Sequence, residues 1–234
     1  MAAGTTCREP PWKAGLRGAR ANLLPGLVLQ VTALVVVLAY YHHPPARAAF
    51  GQLAAFRAHA GLVFGVASTG FFGGLLPFLY LRFMAGSNCR YGWRQGLWLT
   101  AFWGYKGLEV ELWYRLLAHV VGAGHDITTI VIKSLLDQAV YCPFLAIPLT
   151  VVAYQWLAPG IRLHAIVADF RKPGWYARSV LPTLLANAGV WLPAVVIIYS
   201  LPTPLQLPLQ NLVLVFFTLL LAHLNARVGG RKAA

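Results

Sequence analysis

Acidic side chains are scarce in this chain: six Asp+Glu among 234 residues, against 19 Lys+Arg. Charged residues of both signs make up 11%, less than half of the roughly 25% usual for soluble domains. With 59% hydrophobic residues and a mean hydropathy of +0.63, this scarcity excludes an ordinary soluble domain. It also excludes disorder, which needs low hydrophobicity. Cysteine is equally sparse. Cys7, Cys89 and Cys142 are far apart, so there is no CxxC, no zinc-ribbon spacing and no disulfide framework. Cys142 reads as a small apolar residue inside a helix. GxSxG, HExxH and the phosphate-cradling P-loop pattern are missing too. His42-His43 precedes Pro44-Pro45 in what reads as a loop, with no further ligands nearby. No metal site, cofactor or enzymatic chemistry is expected.

What the chain has instead is apolar length. A hydrocarbon core about 30 Å thick takes roughly 20 helical residues to cross. Six runs qualify, at about 22–41, 61–81, 96–118, 130–152, 180–200 and 207–225. The expected fold is all-α: a polytopic transmembrane helix bundle of six spans. Loop charge tests the partition. Fourteen Lys+Arg fall in 1–21, 82–95, 153–179 and 226–234, against two in 42–60 and none in 119–129 or 201–206. Basic residues gather on the cytoplasmic side, so both termini are expected on that positive side. The net charge of +13 then reads as contact with the lipid bilayer and its anionic headgroups, with no nucleic acid involved. The expected organisation is a basic N-terminal tail (1–21), an additional N-terminal transmembrane helix (22–41), a transmembrane domain (60–225) and a basic C-terminal tail (226–234). The short Pro-rich 201–206 makes the last two spans antiparallel neighbours.

Lys13, Arg17 and Arg20 before an apolar run, with Ala46-Arg47-Ala48 beyond it, resemble a secretory signal. The run is of spanning length, however, so a retained helix is expected. Glu9, Pro10 and Pro11 are expected to spoil an amphipathic basic helix of the presequence kind.

A charge near the bilayer centre costs at least about 2.5–3.5 kcal/mol. The third span nevertheless carries Lys106, Glu109, Glu111 and Arg115, and the fourth carries Lys133, Asp137 and Gln138. Concentration in two consecutive spans predicts mutual pairing. Arg115 and Lys133 lie about one turn from 119–129, and Glu111 and Asp137 about two turns. Glu111–Arg115 and Lys133–Asp137 are i,i+4 pairs; Glu111–Lys133 and Arg115–Asp137 are expected to meet diagonally across the helices. Lys106–Glu109, at i,i+3, forms a deeper pair. Either these charges fix helix register, or they line a water-filled path for a polar solute.

Gly61–Gly65 and Gly70–Gly74 form two GxxxG patterns that let backbones approach. If the chain self-associates, this glycine-rich span offers the surface for a homo-oligomer. Pro77, Pro143, Pro148, Pro182 and Pro193 are expected to kink or end helices. Trp93, Trp98, Trp113, Tyr114, Trp156, Trp175, Tyr176 and Tyr199 read as interfacial anchors. Asp126 is placed to cap the fourth span.

The fourth span reads Lys133-x-x-x-Asp137-Gln138-x-x-x-x-Pro143, with Gly107 and Trp113-Tyr114 in the third span. These residues resemble the signature of the Mpv/PMP family of peroxisomal and mitochondrial inner-membrane proteins. Pro182 and Pro193 keep the family's spacing, with Asn187 between them one place early. Leu108 and Glu111 replace the family's proline and histidine, and Leu185 and Ile197 replace its glutamine and arginine. The terminal W-x-x-Y-L-S is missing. The resemblance covers roughly 60–225 and marks a distant member, with span one an addition. It implies a small channel or metabolite pore of an internal membrane: mitochondrial inner or peroxisomal in a eukaryote, cytoplasmic in a bacterium.

The expected function is thus a small channel or pore for ions or polar metabolites, with the buried charges beside the path. The alternative is a structural membrane protein whose charges only pair helices. An intramembrane enzyme using Glu111 or Asp137 as acid or base lacks an accompanying nucleophile.

Overall fold

The computed structural model describes residues 10–83, 92–157 and 163–231. Among the described residues every element is helical. Four helices are long and apolar enough to cross a membrane: α2 (Leu23–His42), α4 (Leu62–Phe83), α6 (Ile127–Leu157) and α8 (Tyr176–Tyr199). Before the first of them lies α1 (Pro11–Ala21), and between them lie α3 (Pro44–Ala60), α5 (Trp93–Val120) and α7 (Leu163–Phe170). The last helix is α9 (Thr203–Arg231), with an apolar stretch over Thr203–Leu219 among the described residues. At 28 residues, α5 is long enough to span; the charges it carries set it apart from the four.

The N-terminal tail is a correction. Arg8 and Glu9 lie outside the described residues, while Lys13, Arg17 and Arg20 lie on α1, an amphipathic helix with Pro11 in its first turn. A missing N–H costs nothing there, where backbone donors have no intrahelical acceptor. Gly15, Gly18 and Ala19 press against Leu185, Ala186 and Gly189 of α8. The contact continues along α2. Gly26 meets Val190, the Gln30 amide donates to the Val190 carbonyl at 3.3 Å, and the Tyr41 hydroxyl donates to that of Ser200 at 2.6 Å. Thus α1 and α2 run parallel to α8, and the additional span is packed into the bundle.

The stretch 42–60, read as a connection, is mostly helix. The His43 ring Nδ1 accepts from the Ala46 N–H at 3.2 Å, and Pro44-Pro45 opens α3. Gly61, at φ +59°, turns the chain back into α4, a conformation that favours glycine.

Antiparallel α4 and α5 meet along a glycine seam. Gly65 faces Gly107, Gly70 faces Gly104 and Thr100, Gly74 faces Thr100, and Phe78 covers Gly96. A methyl group at Gly107 would overlap the Gly65 carbonyl oxygen. The glycines expected to offer a surface to a second copy are therefore spent inside the chain. Gly61 stands outside the seam.

Three helices contain a π-helical stretch: Gly70–Leu75 in α4, Asp137–Ala146 in α6 and Tyr176–Val180 in α8. The stretch in α6 contains Pro143, which has no N–H for the ordinary i→i−4 ladder. Pro182 lies in the first turn after the stretch in α8, and Pro193 lies inside that helix. Trp98 meets Trp156 edge-on at 4.3 Å, and Trp175 donates to Gln155 at 3.4 Å. These rings gather where α5 begins and α6 ends. Trp113, Tyr114 and Tyr199 are corrections to the anchor reading. Trp113 stacks on Tyr141 at 4.9 Å, while Tyr114 and Tyr199 are buried edge-to-face partners at 5.5 Å.

Candidate functional site

The buried charges of α5 and α6 fall into two layers. The first is centred on Glu111, 2% exposed. Its Oε1 accepts from Arg115 Nε at 2.7 Å, as the i,i+4 spacing predicts. Its Oε2 accepts from Arg57 of α3, a residue assigned to a connection by sequence. Arg57 also donates to the carbonyls of Thr203, at 2.9 Å, and Pro204. Pro208, four residues after Pro204, has no N–H to offer that carbonyl. Arg57 thus supplies a donor that the α9 backbone lacks. The diagonal pairs are corrections: neither Glu111–Lys133 nor Arg115–Asp137 forms, nor does Lys133–Asp137. Lys133 is buried and has no ion-pair partner among the described residues. The planar guanidinium of Arg57 serves the Glu111 carboxylate and the α9 carbonyls together.

The second layer lies one to two turns nearer the start of α5. Lys106 donates to Glu109 Oε1, as expected, and that oxygen also accepts from the Tyr141 hydroxyl at 2.7 Å. The lysine ammonium sits 5.4 Å from the Tyr141 ring centre. Among the described residues the hydrogen-bond donors to Asp137, 4% exposed, are neutral. Its Oδ2 accepts from the Tyr199 hydroxyl at 2.7 Å, and its Oδ1 from Gln138 Nε2 at 2.9 Å and the Cys142 thiol at 3.6 Å. Cys142, expected to pack as an apolar residue, belongs to this polar group. Nearby, Tyr114 donates to Gln210 at 2.8 Å, and Thr69 donates to Asn211 at 2.9 Å.

A cavity of about 370 Å³ opens on this second layer, between α5, α6, α8 and α9. Its floor carries Lys106, Asp137, Gln138 and Gln210. Aromatic residues line it from all four helices: Trp103 and Tyr114 of α5, Tyr141 and Tyr154 of α6, Trp191 of α8 and Phe217 of α9. Asn187 joins the lining from α8. A second space shares Thr150, Tyr154 and Thr183 with it, towards the end of α6. The cavity follows the π-helical stretch of α6, where each turn holds an extra residue. The Tyr176 hydroxyl braces that stretch by donating to the Pro143 carbonyl at 2.9 Å. Glu111, Arg57 and Lys133 do not line the cavity.

The motif residues therefore have distinct places. Gly107 is the tightest point of the glycine seam. Trp113 backs the Tyr141 ring, and Tyr114, Asp137, Gln138 and Asn187 line the cavity. Sequence reasoning missed Arg57, Tyr141, Tyr199 and Gln210. Arg57 carried a legible signal, as one of two basic residues in the charge-poor 42–60. The Gln210-Asn211 pair inside the sixth span was a second.

Outside the apolar stretches, Asp126 caps α6 as expected. It accepts from the Thr129 N–H at 3.0 Å and the Thr129 hydroxyl at 2.6 Å. These bonds hold its carboxyl below the usual carboxylate range. Among the described residues no group of His, Cys, Asp and Glu converges in a way that would hold a metal. Comparison with known protein families, curated proteins and solved structures finds no match for this chain.

Proposed function

We propose that this integral membrane protein crosses the bilayer six times and is a small channel or pore, with the cavity between α5, α6, α8 and α9 as the vestibule of its path. The count of six adds α5 and α9 to the four apolar helices. It is supported by the fourteen-to-two loop charge split and by the alternating helix directions, with α4 antiparallel to α5 and α2 parallel to α8. Both termini then lie on the positive side. The resemblance of Lys133, Asp137, Gln138 and Trp113 to the Mpv/PMP pattern points the same way.

The observation that carries this reading is Asp137: a buried carboxylate that lines a cavity and forms no ion pair among the described residues. Ionisable groups within spans that face a water-filled cavity are associated with solute paths. Polar groups continue beyond the floor, through Tyr114 and Tyr199 to Glu111 and Arg57. The Tyr199–Asp137 and Tyr114–Gln210 hydrogen bonds link these groups to the cavity lining.

A planar bilayer holding the purified protein tests the reading. Discrete openings whose size or selectivity changes in Asp137→Asn are expected. A silent bilayer from folded, inserted protein overturns it. The second reading, helix pairing, is favoured by one observation: Glu111 and Arg57 are saturated with partners away from the cavity. It assigns that layer a structural role and leaves Asp137 to the path.

A further inference from the structure

Resting on the conduction reading above, the cavity's chemistry narrows what the path carries. Among the described residues Lys106 is the one cationic side chain of the lining, and Glu109 and Tyr141 already engage its ammonium. An anion would find no spare positive charge. Asp137 is in the opposite condition. Its donors, Tyr199, Gln138 and Cys142, are all neutral, and Lys133, one turn away, forms no ion pair with it. No cation of the described residues lies at ion-pair distance from this carboxylate, so that position is open to the positive charge of a ligand.

The walls add a second constraint. Trp103, Tyr154, Trp191 and Phe217 present ring surface from four helices. Aromatic faces attract cations, and their area favours an apolar body. Most of the exposed lining surface is apolar, so an organic body gains more here than a bare inorganic ion. The cavity, about 370 Å³, falls at the small end of the roughly 300–1,000 Å³ range of small-molecule pockets.

We infer that the cavity is a binding site for a compact lipophilic organic monocation, a ring-bearing amine or quaternary ammonium, whose positive centre pairs with Asp137 and whose body lies among the four aromatic rings. The Asp137 carboxylate supplies the charge selection and the rings supply the apolar affinity.

Three ligands of nearly one shape test this on the full chain in lipid nanodiscs. N-methyl-4-phenylpyridinium carries the cation, 4-methylbiphenyl is its neutral isostere, and 4-phenylbenzoate is the anion. Binding is read by calorimetry and by tryptophan quenching, each corrected against empty nanodiscs. In the wild type the cation is expected to bind at least about tenfold more tightly than the isostere, and the anion more weakly than either. Asp137→Asn should erase the cation's advantage while the isostere still binds. Trp191→Ala should weaken both. Equal binding of cation and isostere overturns the inference, as does preference for the anion or absence of binding by folded protein. The wild-type ratio needs no variant, so a misfolded Asp137→Asn chain does not blunt the test. Selective binding without conduction would overturn the path and leave the site. Conduction of inorganic ions without selective binding would overturn the ligand class and leave the path.

Discussion

Glu111 and Asp137 are both buried carboxylates near the same end of the bundle, 2% and 4% exposed, yet their surroundings differ in kind. Glu111 has two guanidinium partners, and one of them also serves carbonyls of α9. Asp137 has three neutral donors and borders a cavity. Burial therefore does not separate helix-pairing charges from site charges in this bundle. Saturation and access do. A charge whose partners are complete and whose neighbours are all protein has nothing further to bind.

The sharpest way to break this comparison is to neutralise each acid in turn. Glu111→Gln leaves Arg57 buried without its counter-charge and is expected to cost about 3–5 kcal/mol. Asp137→Asn keeps an acceptor for Tyr199 and is expected to change stability by no more than about 1 kcal/mol. Chemical unfolding in detergent measures both, and equal losses would erase the distinction. Next in size is Gly107→Ala. It forces α4 and α5 apart and should cost about 1–3 kcal/mol, whereas Gly51→Ala, with open space around the site, should be neutral or slightly stabilising. Tyr199→Phe should then cost about 1–2 kcal/mol by leaving Asp137 Oδ2 without its donor, and should alter conductance. Tyr41→Phe, which removes a hydroxyl remote from the cavity, should leave conductance unchanged.

The smallest expected effect is at Asp126, and it depends on pH. The folded carboxyl titrates below its ordinary value. Its capping contribution is therefore present above about pH 4 and is lost as pH falls through the lowered folded value. Hydrogen exchange of the first-turn amides of α6 should show Asp126→Ala less protected than wild type near neutrality. The gap should close in acid, and a gap that is constant with pH would remove the charged cap from the account.

Much of the architecture was legible because it rests on local rules. Apolar length marked α2, α4, α6 and α8; the i,i+3 and i,i+4 spacings marked Lys106–Glu109 and Glu111–Arg115; Asp126 marked the start of α6. The helices α1 and α3 were hidden by prolines that mark breaks mid-helix and starts at the first turn, and sequence alone did not place them. The tyrosines were hidden for a related reason. Tyr114 and Tyr199 lie near helix ends, where anchors belong, but their hydroxyls turn inward to Gln210 and Asp137.

By itself the sequence determined that the chain is helical, apolar enough for a bilayer, and polar within two consecutive helices. Those properties follow from residue types at fixed short spacings along one helix. Which charge meets which partner was decided only by tertiary structure. Arg57 lies 54 residues before Glu111, and Tyr199 lies 62 residues after Asp137. No spacing rule spans such distances. The packing of glycine against glycine and the π-helical stretch of α6 set which side chains share a depth, and so which acid was completed and which was left facing the cavity.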